Sequence, residues 1–164
     1  MKLLLCLATL ALATASAQNA PTRQMCMFLD FSSMNAQDQA HAQQAAIEFI
    51  DKKVAPTDSV AVVMFTSELR VIQAFTSDHD TVIAALRKIV PAEPAVDGAV
   101  DQKLSALQEL AEVLSIVPGK KQVIYFTGGI AAGIDNQARL DATVLAIKTA
   151  NASIFAMDTR SLTQ

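Results

Sequence analysis

The chain has 164 residues, 52% of them hydrophobic, and a formal charge of −3 at pH 7. That length fits one domain behind a short leader, and the apolar share supports a core without disulfide or metal staples. No basic run exceeds the pairs Lys52-Lys53 and Lys120-Lys121, which argues against nucleic acid as a partner, because phosphate binding needs a concentrated positive face.

The first residues have the layout of a secretory signal. Lys2 supplies a positive region, Leu3 to Leu12 an apolar run, and Ala15-Ser16-Ala17 the small residues that a signal peptidase reads. Cleavage is expected after Ala17, leaving 18–24 as a polar spacer and 25–164 as the domain. The apolar run is well short of the roughly 20 residues that span a bilayer as a helix. No membrane span is therefore expected after cleavage, and the processed chain is expected to be secreted or periplasmic. Cys6 lies too early, and follows too bulky a residue in Leu5, for a lipoprotein. Only Cys26 survives processing, so no intrachain disulfide can form. Between Met25 and Met27 it reads as a small buried apolar residue.

In chain order, Met25-Cys26-Met27-Phe28-Leu29 is a continuous apolar run, the pattern of a strand buried on both faces. Ala42, Ala45, Ala46, Phe49 and Ile50 then mark one stripe of a helix that ends at Asp51-Lys52-Lys53, before Pro56. Ser59 to Phe65 is a second buried strand. A short turn leads into Leu69 to Phe75, where polar residues alternate, so these two strands should form an antiparallel hairpin. Ser77-Asp78-His79-Asp80 reads as a capping box with Asp in place of Glu, opening a helix that carries Val82, Leu86 and Ile89 inward. The stretch from Val90 to Gly98 is an irregular loop. A helix follows with Leu104, Leu107, Ala111 and Leu114 on one face, stopped by Pro118-Gly119. Gln122 to Thr127 is a buried strand, Gly128 to Gly133 a turn, Asn136 to Thr149 a helix, and Ala152 to Asp158 the last strand. The order β-α-β-β-α-α-β-α-β demands an α/β fold, a mainly parallel sheet with helices on both faces and one antiparallel edge strand.

That order, with Phe28-Leu29-Asp30-Phe31-Ser32-Ser33, Ser59 to Phe65, Phe75-Thr76-Ser77-Asp78, Pro118 to Gly129 and Phe155 to Arg160, resembles the von Willebrand factor A domain. The likeness is to the VWFA-related domain of exported bacterial proteins, many of them acidobacterial, and covers nearly the whole processed chain. It implies a three-layer, Rossmann-like fold with sheet order 3-2-1-4-5-6. The chain stops at Gln164, just after the fifth strand, so a last strand and helix are expected to be lacking. The exposed edge would then invite β-pairing with another chain.

The resemblance also implies a metal-ion-dependent adhesion site at the carboxyl ends of the strands. Its motif is Asp-x-Ser-x-Ser after the first strand, a Thr from a second loop and an Asp after the fourth strand. Hydroxyl and carboxylate oxygens suit Mg²⁺. Asp30 and Ser32 match as metal ligands. Met34 replaces the second Ser with a soft, poor ligand, Gly128 stands at the fourth-strand Asp, and the loop from Pro91 to Asp101 contains no Thr, although Asp97 or Asp101 could lend an oxygen. The site is thus degenerate, and no cofactor is expected, Mg²⁺ being the one ion the motif would admit. Read from the residues alone, Asp30 and Ser32 cap the turn after the strand.

The expected function is an exported, non-catalytic protein–protein interaction module of adhesion type. Asp30, Ser32, Ser33, Asn35, Asp97, Gly128 and Gly129 line its ligand-binding loops. One alternative is a small hydrolase or phosphatase using Asp30, although the second carboxylate of an Asp-x-Asp pair is missing. Another is a structural subunit completed by a partner's strand. Neither a nucleophile elbow nor a phosphate loop is present, and His41 and His79 are expected on solvated helix surfaces.

Overall fold

The computed structural model describes residues 22–92, 100–129 and 136–159. Its elements are β1 (Gln24–Asp30), α1 (Ala36–Lys53), β2 (Ser59–Phe65), β3 (Leu69–Thr76), α2 (His79–Arg87), α3 (Val100–Ser115), β4 (Lys121–Thr127), α4 (Gln137–Thr149) and β5 (Ala152–Asp158). The strands form one sheet in the order β3-β2-β1-β4-β5. All pairs are parallel except β2–β3, the expected hairpin, whose register shifts between Val60 and Val63. This is the α/β architecture read from the sequence, with the element order intact.

A strand exposes alternate side chains to opposite faces of its sheet, which explains the unbroken apolar run of β1. Met25, Met27 and Leu29 join Val60, Val62, Ile124 and Phe126 under α1 and α2. Cys26 and Phe28 join Val63, Phe65, Val123 and Tyr125 under α3 and α4. Two cores result, one on each face. Phe28 and Tyr125 stack with ring centroids 5.2 Å apart.

Some local expectations need correction. The buried stripe of α1 is Gln39, Ala42, Ala46, Ile47 and Ile50, with Ala45 and Phe49 only half-buried at its margin. No capping box opens α2. Asp78 is the N-cap and accepts from the Thr81 N–H and hydroxyl at 3.1 and 2.7 Å, so the reciprocal partner at Asp80 is one residue out of place. Ile89 lies beyond the end of α2, half-buried against the first core. The histidines are half-buried at the helix surfaces rather than freely solvated. His79 Nε2 lies 2.9 Å from the Asp58 carbonyl, and His41 is half-buried, its Nδ1 without a partner among the described residues.

The spacer read at 18–24 already contains structure at its end, since β1 begins at Gln24. The buried Asp58 holds that point. It accepts from the backbone N–H and guanidinium of Arg23 and from the Ala55 N–H. The Arg23 guanidinium holds the Asp58 carboxyl below its usual range. Residues 1–21, the cleavage position after Ala17, Asp97, the turn 130–135 and 160–164 lie outside the described residues.

Candidate functional site

Because β1 and β4 run parallel in adjacent register, Leu29 opposite Phe126, both release their chains at the same end of the sheet. Open α/β sheets bind ligands at this end. The two loops meet there. A Cβ added at Gly128 would lie 3.6 Å from Met34 Cγ and 3.7 Å from Ser33 Oγ. Of the expected ligand-binding residues, Asp30, Ser32, Ser33, Gly128 and Gly129 come together.

Asp30 is the buried centre of this rim, fully shielded from water. One carboxylate oxygen accepts from the Ser32 N–H at 3.2 Å and the Ser32 hydroxyl at 2.6 Å, the turn-capping role expected of this pair. The other accepts from the Tyr125 hydroxyl at 2.7 Å. Burial first, and the Asp30 charge second, push the Tyr125 phenol above its ordinary range, so its proton stays in place as a donor.

The countercharge comes from α3. Lys103, 4% exposed, places its ammonium 3.6 Å from the Asp30 carboxylate. The same Nζ donates to Ser33 Oγ at 2.6 Å and to the Gly129 carbonyl at 2.9 Å. One side chain therefore ties the β1 and β4 loops to each other. Gly129 takes a positive φ of 99°, its N–H donating to Thr127 Oγ1 at 3.0 Å.

The remaining expected residues are placed differently. Asn35 is the N-cap of α1, accepting from the Asp38 N–H at 2.9 Å; it is exposed and belongs to the outer lip. Met34 is buried, with the Thr159 hydroxyl 3.7 Å from its sulfur. Gln39 stitches the loop after β1 to the chain after α2, donating to the Met34 and Ala92 carbonyls at 2.9 and 2.6 Å. Asp101 opens α3, with Arg139 3.5 Å away. Beside the rim, α3, α4 and β5 border an apolar hollow of about 630 Å³ flanked by Leu107, Ile147 and Ile154.

Lys103 and Tyr125 were missing from the sequence-derived site, although both left a signal. Lys103 falls in step with Leu107, Leu110 and Leu114, so a cation interrupts an otherwise buried stripe. Tyr125 is the chain's one tyrosine, in a strand buried on both faces, where its hydroxyl needs a partner.

The donor set does not fit the divalent cation the resemblance implied. Mg²⁺ demands near-octahedral oxygen coordination, whereas both Asp30 oxygens are engaged, Met34 offers sulfur, Gly128 offers no side chain, and an ammonium already sits among the oxygens. Among the described residues, no three His, Cys, Asp or Glu converge in a way that could hold a metal.

Comparison with known proteins agrees with this architecture. In fold the chain is similar to an aerotolerance-related membrane protein from Bacteroides fragilis NCTC 9343 carrying multiple mutations to serines (TM-score 0.59, 18% identity, 82% of this chain and 66% of that one). It is also similar to the conserved hypothetical protein BatB from Bacteroides thetaiotaomicron (TM-score 0.57, 19% identity, 82% and 65%), and to proximal thread matrix protein 1 of the mussel byssus (TM-score 0.57, 17% identity, 82% and 37%). The chain thus spans just under two thirds of the two bacterial structures. None of the curated proteins matches it in sequence. The model of the von Willebrand factor type A domain matches residues 10–130, most of the chain and every element from β1 to β4, and the protein belongs to that family.

Proposed function

We propose that this chain is an exported, non-catalytic module that binds a protein partner through the rim formed by the loops after β1 and β4. The observation that carries the reading is the Lys103 tie between Ser33 and Gly129. It holds two loops in one arrangement before any partner arrives, which lowers the ordering cost of association. Asp30, buried with both oxygens engaged, is poorly disposed to act as a nucleophile or base. That favours binding over an Asp-dependent hydrolase. Export rests on the signal-like residues 1–17. The membrane assignment in the name of the Bacteroides fragilis neighbour is in keeping with a place at the cell envelope.

A photo-crosslinking residue at Gln37, exposed in the first turn of α1 beside the outer lip of the rim, and one at Lys120, exposed at the opposite end of β4, test the reading in the envelope and secreted fractions while leaving the Lys103 tie intact. Protein adducts should form from position 37 and not from 120. Adducts from 120 alone, or none from 37, would remove the rim as the docking surface. Intact-mass measurement of the exported chain should find Gln18 as its first residue; an unprocessed chain retained in the cytoplasm would remove the export.

A further inference from the structure

We propose that the ammonium of Lys103 is a built-in cation that takes the place of a divalent ion at this rim, so that the site works without metal. The argument is independent of which partner binds. A lysine on a helix normally extends its charged head to water. Lys103 instead turns inward, is 4% exposed, and meets three oxygens from two loops, Ser33 Oγ at 2.6 Å, the Gly129 carbonyl at 2.9 Å and Asp30 Oδ2 at 3.6 Å. The ammonium has three donors and no acceptor, so a hydroxyl, a carbonyl and a carboxylate are the surroundings it requires.

Charge leads to the same conclusion. Among the described residues, Asp30 is the single carboxylate in contact with the ammonium, and the buried pair is neutral. A divalent ion would add two positive charges beside a positive charge already shielded from water, with one anion among the described residues to offset all three. It would also have to displace the Tyr125 and Ser32 hydrogens from the Asp30 oxygens. A tethered ammonium does the work of position and charge together. It bridges the loops as a bound ion would, its local concentration is fixed by the chain, and no chelator can remove it. Two of its donors are taken up by Ser33 and Gly129 and its charge is met by Asp30, so it does not offer a partner's carboxylate the open coordination position a bound metal would.

The test uses Mn²⁺ and the full chain labelled with ¹⁵N. In the wild type, millimolar Mn²⁺ should leave the Ser33 and Gly129 amide signals unbroadened, and the Lys103 ammonium should give a slowly exchanging Nζ signal. Lys103→Ala should be destabilised, and methylammonium should raise its melting temperature while tetramethylammonium, which cannot donate, should not. Saturable broadening of the Ser33 and Gly129 amides by Mn²⁺ in the wild type, abolished by Asp30→Asn, would overturn the proposal. So would a Lys103 ammonium in fast exchange with water. Both wild-type measurements stand even if Lys103→Ala does not fold.

Discussion

Replacing Lys103 by Met keeps the length of the side chain and deletes its charge. At 3.6 Å from Asp30, two unit charges attract by about 4–5 kcal/mol at an effective dielectric constant of about 20. The attraction is gross, since both ions were taken from water. What a single substitution reads is chiefly the cost of stranding the other charge, about 3–5 kcal/mol for a buried pair. Lys103→Met should therefore lose about that much stability, roughly 6–20 °C in melting temperature for a domain of this size. Asp30→Asn should lose a similar amount by stranding the ammonium.

The double variant separates pairing from packing. With Asn at 30 and Met at 103 no unpaired charge remains, and the Tyr125 hydroxyl can rotate to accept from the new amide. The double variant should be more stable than the sum of the single losses by about 2–3 kcal/mol, the upper part of the roughly 0.5–3 kcal/mol found for residues in direct contact. Urea denaturation of the four chains, read by tryptophan-independent far-UV dichroism because the sequence has no Trp, gives each term. Losses that add within about 0.5 kcal/mol would show that Lys103 and Asp30 do not act as a pair, and the account of the rim would fail with them.

Lys121 offers a contrast within the same chain. It is also buried, but its Nζ donates to the Val117 carbonyl at 2.7 Å, and desolvation pulls its pKa below the lysine range. Lys121→Met should change stability by no more than about 1 kcal/mol in the same denaturation assay; a loss equal to that of Lys103→Met would mean that burial alone, not the Asp30 partnership, decides the effect. Tyr125→Phe keeps the stack on Phe28 and removes one charge-assisted hydrogen bond, for an expected loss of about 1.5–3 kcal/mol; a melting temperature unchanged from wild type would contradict the contact. Asp58 binds its proton less readily folded than unfolded. Its contribution is present above the unfolded carboxylate pKa of about 3.9 and is lost as pH falls through the lower folded value. Asp58→Asn should flatten the acid limb of the stability–pH curve, and an unaltered limb would count against the Arg23 clamp. Burial pushes the Cys26 thiol up to about 12, so iodoacetamide at mildly alkaline pH should modify Cys26 only after unfolding; modification of the native chain, seen by peptide mass mapping, would place the thiol outside the core.

The fold was legible because its elements are set by local pattern. Met25 to Leu29 cannot be half-exposed without leaving a large side chain in water on either face. Helical stripes between such runs leave few arrangements other than a covered parallel sheet. The hairpin at β2–β3 followed from a connection too short for a crossover. The half of the site that lies on one segment was legible for the same reason, since Asp30 and Ser32 are two residues apart and bond within their own turn. What sequence reading lost was the half that arrives from elsewhere. Lys103 is 70 residues from Ser33 and 26 from Gly129, and Tyr125 is 95 from Asp30; no local rule pairs them. Against the family motif, Met34 and Gly128 count only as missing ligands. They can equally be read as what a lysine in the site permits. Once a cation is supplied by the chain itself, additional carboxylate and hydroxyl ligands have no ion to hold, and position 128 needs no more than contact with the buried Met34 and with Ser33, which a Cβ there would meet at 3.6 and 3.7 Å. The departures from the motif and the inward lysine are then one change rather than three.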